Sequence, residues 1–102
     1  MSKKITITVT GLNHRFGQDF LKPGMKLHLK KEPDNAYDKE AIQVSLKGLG
    51  VIGYVANSTY TVQGDCMSAG RLYDRIGKTA EARVLYLLPK GVVCTVCRKS
   101  LI

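Results

Sequence analysis

A chain of 102 residues that is 44% hydrophobic and 24% charged has the size of about one domain and enough apolar content for a modest core of its own. Its 16 Lys and Arg against 8 Asp and Glu give a net charge of +8, which favours polyanionic partners, nucleic acid among them. No run approaches the roughly 18 apolar residues of a transmembrane helix, MSKKITITVTG is too short and polar for a signal-peptide core, and three cysteines are an odd count for a disulfide framework, so a soluble cytoplasmic protein with reduced thiols is expected.

Lys4 to Thr10 alternates Ile5, Ile7 and Val9 with threonines, the pattern of a half-buried strand. A loop follows over Gly11 to Gly17, and LKPG, Leu21 to Gly24, has tight-turn chemistry. Met25, Leu27 and Leu29 alternate with Lys26, His28 and Lys30 in a second strand, and Lys30-Lys31 reads as a solvated cationic edge. Glu32 to Lys39 is a turn and Ala41 to Leu46 a third strand. Gly48 and Gly50 reverse the chain into Val51 to Val55, where Gly53 predicts a bulge or a close backbone approach.

The second half begins with a polar, irregular stretch, Asn57 to Gly64. Met67, Leu72 and Ile76 then fall at near-helical spacing, with Asp65 or Ser68 as N-cap, Gly70 as a weak point and Gly77 as the stop. Ala80 to Leu88 alternates again, with Ala82, Val84, Tyr86 and Leu88 on one face. Pro89 to Gly91 turns it into Val92 to Val96. The expected fold is mainly β: a small, partly closed, six-stranded OB-like barrel with one short inserted helix, forming a single domain over residues 1–102.

Cys94 and Cys97 have the spacing of half a zinc site, and the remaining ligands would have to come from Cys66, His14 and His28. On a strand, however, positions 94 and 97 point to opposite faces, and buried cysteines often serve as small hydrophobes. No metal or cofactor is expected. His14 and His28 have no recognisable nucleophile partner and no Gly-rich loop has phosphate-binding spacing, so an enzyme is not expected.

In an otherwise basic region Glu32, Asp34, Asn35, Tyr37 and Asp38 stand together; residues 1 to 31 carry seven Lys and Arg and the single acid Asp19. Asn35 and Asp38 can pin a loop through side-chain to backbone bonds and leave Tyr37 projecting beside a carboxylate. Such a loop is either purely structural or a platform for a base or sugar. The Asp suits a hydroxyl-bearing nucleic-acid end better than a mid-strand phosphate.

The segments GLNHRFG, LKPGMKLHLKKEPDNAYDKEAIQV and GVIGYVA together resemble the HIRAN domain, most strongly over residues 4–56 and more weakly to 88. The resemblance, to a stand-alone bacterial-type member, implies an OB-related β-barrel. It also implies recognition of single-stranded DNA or its 3′-hydroxyl end, in the service of DNA repair at stalled forks. Tyr37 would then stack on the terminal nucleotide and Asp38 would hydrogen-bond the hydroxyl, with Asn35 and Asp34 shaping the loop. His14, Arg15 and Phe16 would form the opposing wall, where DNA-binding relatives carry an Arg and tyrosines. Tyr54 would line the groove, and Lys30 and Lys31 would meet phosphates. With no helicase motor in the sequence, a helicase or nuclease is expected to act in trans. The competing reading is a protein-interaction or regulatory domain on the same barrel without DNA-end specificity.

Overall fold

A computed structural model describes residues 4–12 and 17–102. The elements run β1 (Thr6–Thr10), β2 (Lys26–Lys31), β3 (Ile42–Leu46), β4 (Gly50–Val55), α1 (Ala69–Tyr73), β5 (Thr79–Leu88) and β6 (Gly91–Val96), with a 3₁₀ turn at Arg98–Ser100. The strands join in the order β1-β4-β3-β2-β5-β6, every pair is antiparallel, and β6 returns to β1. The barrel is therefore closed, not partly open, and closure pairs the edge strands that an open sheet would expose. No helix among the described residues is long and apolar enough to cross a membrane.

Strand alternation builds the interior. Ile7 and Val9, Leu27 and Leu29, Ile42 and Val44, Ile52, Ala82, Val84, Val92 and Cys94 all point inward and are buried. Each large aliphatic side chain so placed contributes about 1.5–3 kcal/mol relative to exposure.

Three strands depart from simple alternation. In β1, Thr8 was expected to face out but is 0% exposed. The segment after β4 lies over that face: Gln63 N donates to Thr8 Oγ1 at 3.0 Å and Met67 N to Thr6 O at 2.7 Å. In β4, the pairs Val44–Gly53 and Ser45–Val51 leave one extra residue, the expected bulge, and an added Cβ on Gly53 would lie 2.5 Å from Thr10 O. Only glycine allows β1 to come so close. In β5, the pairs Val84–Cys94 and Tyr86–Val93 mark a second bulge at Leu85. It reverses the phase, so Tyr86, expected inside, is exposed, while Leu87 packs against the core.

Helix α1, through Ala69 and Leu72, and Ile76 just beyond it close one end of the barrel, all three fully buried. Ser68 is the N-cap and accepts from Arg71 N, so Asp65 is not the cap. The helix ends at Asp74, not at Gly77, because Arg75 N already turns back to Leu72 O and Ile76 bridges to Leu101.

Candidate nucleic-acid interface

Because side chains alternate along a strand, residues paired on one face form a row across the barrel. Lys30 pairs with Gln43, Gln43 with Tyr54, and Tyr54 with Thr10, from which the first loop departs. Glu32, two residues beyond Lys30 and so in the same phase, caps this row. Its carboxylate accepts from Asn35 Nδ2 at 2.9 Å, from the Tyr54 hydroxyl at 2.9 and 3.0 Å, and from Gln43 Nε2 at 2.5 Å. Partial burial pushes the Glu32 carboxyl up, but the bonds from Asn35, Tyr54 and Gln43, with Lys30 nearby, outweigh it and hold the group below its ordinary range. Glu32 is the anchor of the acidic turn.

From that anchor the turn is held by its own side chains. Asn35 Oδ1 accepts from Tyr37 N at 2.9 Å and from Asp38 N at 3.0 Å, and Asp38 Oδ1 accepts from Glu40 N at 2.9 Å. Asp38 Oδ2 accepts from Asn57 Nδ2 at 3.0 Å, and Asn57 Oδ1 accepts from Gly70 N at 2.7 Å. At Gly70 the turn and the helix touch: an added Cβ would lie 2.6 Å from Glu40 Oε1. The result is a fixed loop from which the Tyr37 ring stands 99% exposed. Asp38 uses one bond on each oxygen, about half the acceptor capacity of a carboxylate.

The expected site residues separate into three groups. Asn35, Tyr37 and Asp38 are brought together, with the exposed Asp34 in the same turn, and Tyr54 and Lys30 lie on the adjoining row. Lys31 is directed elsewhere. It falls on the inward phase of β2 at the end plugged by α1, where Nζ donates to Ile76 O at 2.9 Å and sits 4.4 Å from the centre of the Tyr73 ring. His14, Arg15 and Phe16 lie outside the described residues.

Asn57 and Arg71 belong to this region and were not foreseen. Exposed Arg71 lines a cavity of about 350 Å³ with Asn57, Ser58 and Ser68 beside the turn. An Asn two residues after a strand was the available signal for the first; nothing in the sequence pointed to the second. Among the described residues, which do not include His14, no group of three His, Cys, Asp or Glu is placed to hold a metal ion. Burial, with Cys66 nearby, pushes the Cys94 thiol up to about 12.

A comparison with curated proteins finds no match. Among solved structures the crystal structure of the HIRAN domain of human HLTF is similar in fold, with a TM-score of 0.60 at 20% identity, covering 91% of this chain and 74% of that one. The family model of the HIRAN domain matches residues 3–87, from β1 through nearly all of β5, and so includes the acidic turn and the row beneath it. The chain belongs to the HIRAN domain family.

Proposed function

We propose that this protein is a non-enzymatic module that binds single-stranded DNA at the acidic turn and holds the 3′-hydroxyl end there. Membership in a family of DNA-binding modules supports nucleic-acid binding at a coarse level. The finer reading rests on one observation: a tyrosine ring 99% exposed on a turn pinned by five hydrogen bonds has no role in the core. A base stacks on Tyr37, a terminal hydroxyl donates to the unused capacity of Asp38, and Lys30 with Arg71 faces the phosphates. A helicase or nuclease works in trans.

The alternative, a partner-binding barrel without end specificity, draws on the Asp38 carboxylate already serving Glu40 and Asn57. Fluorescence anisotropy with a labelled short single strand, ending in a 3′-hydroxyl or a 3′-phosphate, separates the two. End recognition requires weaker binding of the blocked strand, a loss of about 1–3 kcal/mol for Tyr37→Ala, and loss of the hydroxyl preference for Asp38→Ala. Binding indifferent to all three changes leaves only charge attraction, and no binding favours the partner-binding barrel.

A further inference from the structure

A second concave surface lies where the chain ends meet the helix. Lys4, Ile5 and Thr6 at the start of β1, Met67 and Arg75 around α1, and Arg98 and Leu101 after β6 line a groove of about 440 Å³. Its floor is carbon and sulfur: Ile5 is buried, and Met67 and Leu101 are partly buried against the core. Its rim is cationic. Lys4, Arg75 and Arg98 are all exposed, and among the described residues none of them makes an ion pair. No carboxylate lines the groove, although Glu81 elsewhere on the barrel gathers Lys26, His28 and Lys99.

An apolar floor is a poor bed for a phosphate backbone, whose charged oxygens line its whole length. It is a good bed for one aliphatic or aromatic side chain, and unpaired guanidinium groups at the rim match carboxylates on either side of it in fork geometry. Arg98 and Leu101 lie beyond the residues, 3–87, that match the family, and no residue of the acidic turn that carries Tyr37 lines the groove. We infer that the groove formed by Ile5, Met67 and Leu101, rimmed by Lys4, Arg75 and Arg98, docks an acidic peptide segment with a single large apolar anchor, supplied by a partner protein. This surface would bring the barrel to its partner while leaving the acidic turn open. The inference does not depend on DNA binding.

The test uses the full chain and two labelled synthetic peptides: a leucine-phenylalanine pair flanked on both sides by aspartates and glutamates, and the same peptide with the pair replaced by serines. The apolar peptide is expected to bind at least about tenfold more tightly than the serine peptide. Arg75→Glu and Arg98→Glu are each expected to weaken it about tenfold, whereas Tyr37→Ala leaves it unchanged. Met67→Gln, which keeps the length but not the apolar character, tests the floor and is expected to erase the preference for the apolar pair. Circular dichroism confirms that each variant is folded. Equal binding of the two peptides, no binding of either, or displacement of the apolar peptide by a short single-stranded DNA with equal loss of DNA affinity in Arg98→Glu would overturn the inference; the last outcome would make the groove a phosphate track.

Discussion

Asn57 donates to the Asp38 carboxylate at 3.0 Å while accepting from Gly70 N at 2.7 Å, so a single amide side chain fastens the acidic turn to the start of α1. Both bonds are solvent-exposed, which limits what they add to global stability. Replacing Asn57 by Ala is expected to cost about 1 kcal/mol in urea unfolding and to weaken binding of a single strand several-fold, because the turn that carries Tyr37 loses one of its two ends. Asn57→Asp sets a carboxylate against Asp38. Its larger penalty should shrink as salt is added, and a penalty independent of salt would show that the two groups do not meet.

Neighbouring lysines on β2 are expected to behave differently. Lys30 lies on the outer row and Lys31 at the plugged end, over Tyr73. Lys30→Ala should leave the melting temperature nearly unchanged while reducing DNA affinity and lowering the salt slope by about one unit. Lys31→Ala should cost about 1 kcal/mol of stability, from the lost contact with the ring and the bond to Ile76 O, with little effect on the salt slope. Equal behaviour of the two variants in both assays would contradict this division.

The Glu32 carboxyl titrates below its ordinary 4.5 in the folded state, chiefly because three donors outweigh its partial burial. The unfolded chain therefore binds a proton more readily than the folded one as the pH drops. The stability this group contributes is present above the ordinary value and is lost as pH falls through the lowered one. Wild type should thus lose more stability than Glu32→Gln between about pH 6 and pH 3, and the unfolding midpoints of the two proteins should converge toward the acid end. Parallel profiles would mean that the bonds to Asn35, Tyr54 and Gln43 favour neither protonation state.

Thiol chemistry gives a simple check on the barrel interior. Cys94 is fully buried and its thiol is pushed up to about 12, whereas Cys66 and Cys97 are half-buried. Iodoacetamide at neutral pH should modify Cys66 and Cys97 in the native protein and reach Cys94 only on unfolding, since the thiolate is the reactive form. A chelator should leave the melting temperature unchanged. Fast labelling of Cys94 would show that the β6 wall opens.

What the sequence could reveal was local. The period-two alternation of Ile5, Ile7 and Val9, or of Leu27 and Leu29, is set by the geometry of one strand and needs no partner to be read. The same holds for the Ser68 cap and for Asn35 turning its side chain back on the Tyr37 and Asp38 amides, since each bond spans three residues or fewer. The Gly53 bulge was readable for a related reason: a glycine inside a β-branched strand weakens that strand, and a bulge or a close backbone approach is what makes it necessary there.

The tertiary structure decided everything that depends on distant residues meeting. Closure of the barrel requires β6 to return to β1, and the covering of Thr8 requires Gln63 to lie over it. The bulge at Leu85 turned Tyr86 outward with no mark in the strand pattern, because the register is settled by the facing strand. Lys31 looked like its neighbour until α1 supplied Tyr73 and the segment after it the Ile76 carbonyl, 45 residues away in the chain. Residue types and spacing thus carried the turn that presents Tyr37. Only the closed barrel determined that Lys30 lies on the outer row while Lys31 is spent on Tyr73 and the Ile76 carbonyl.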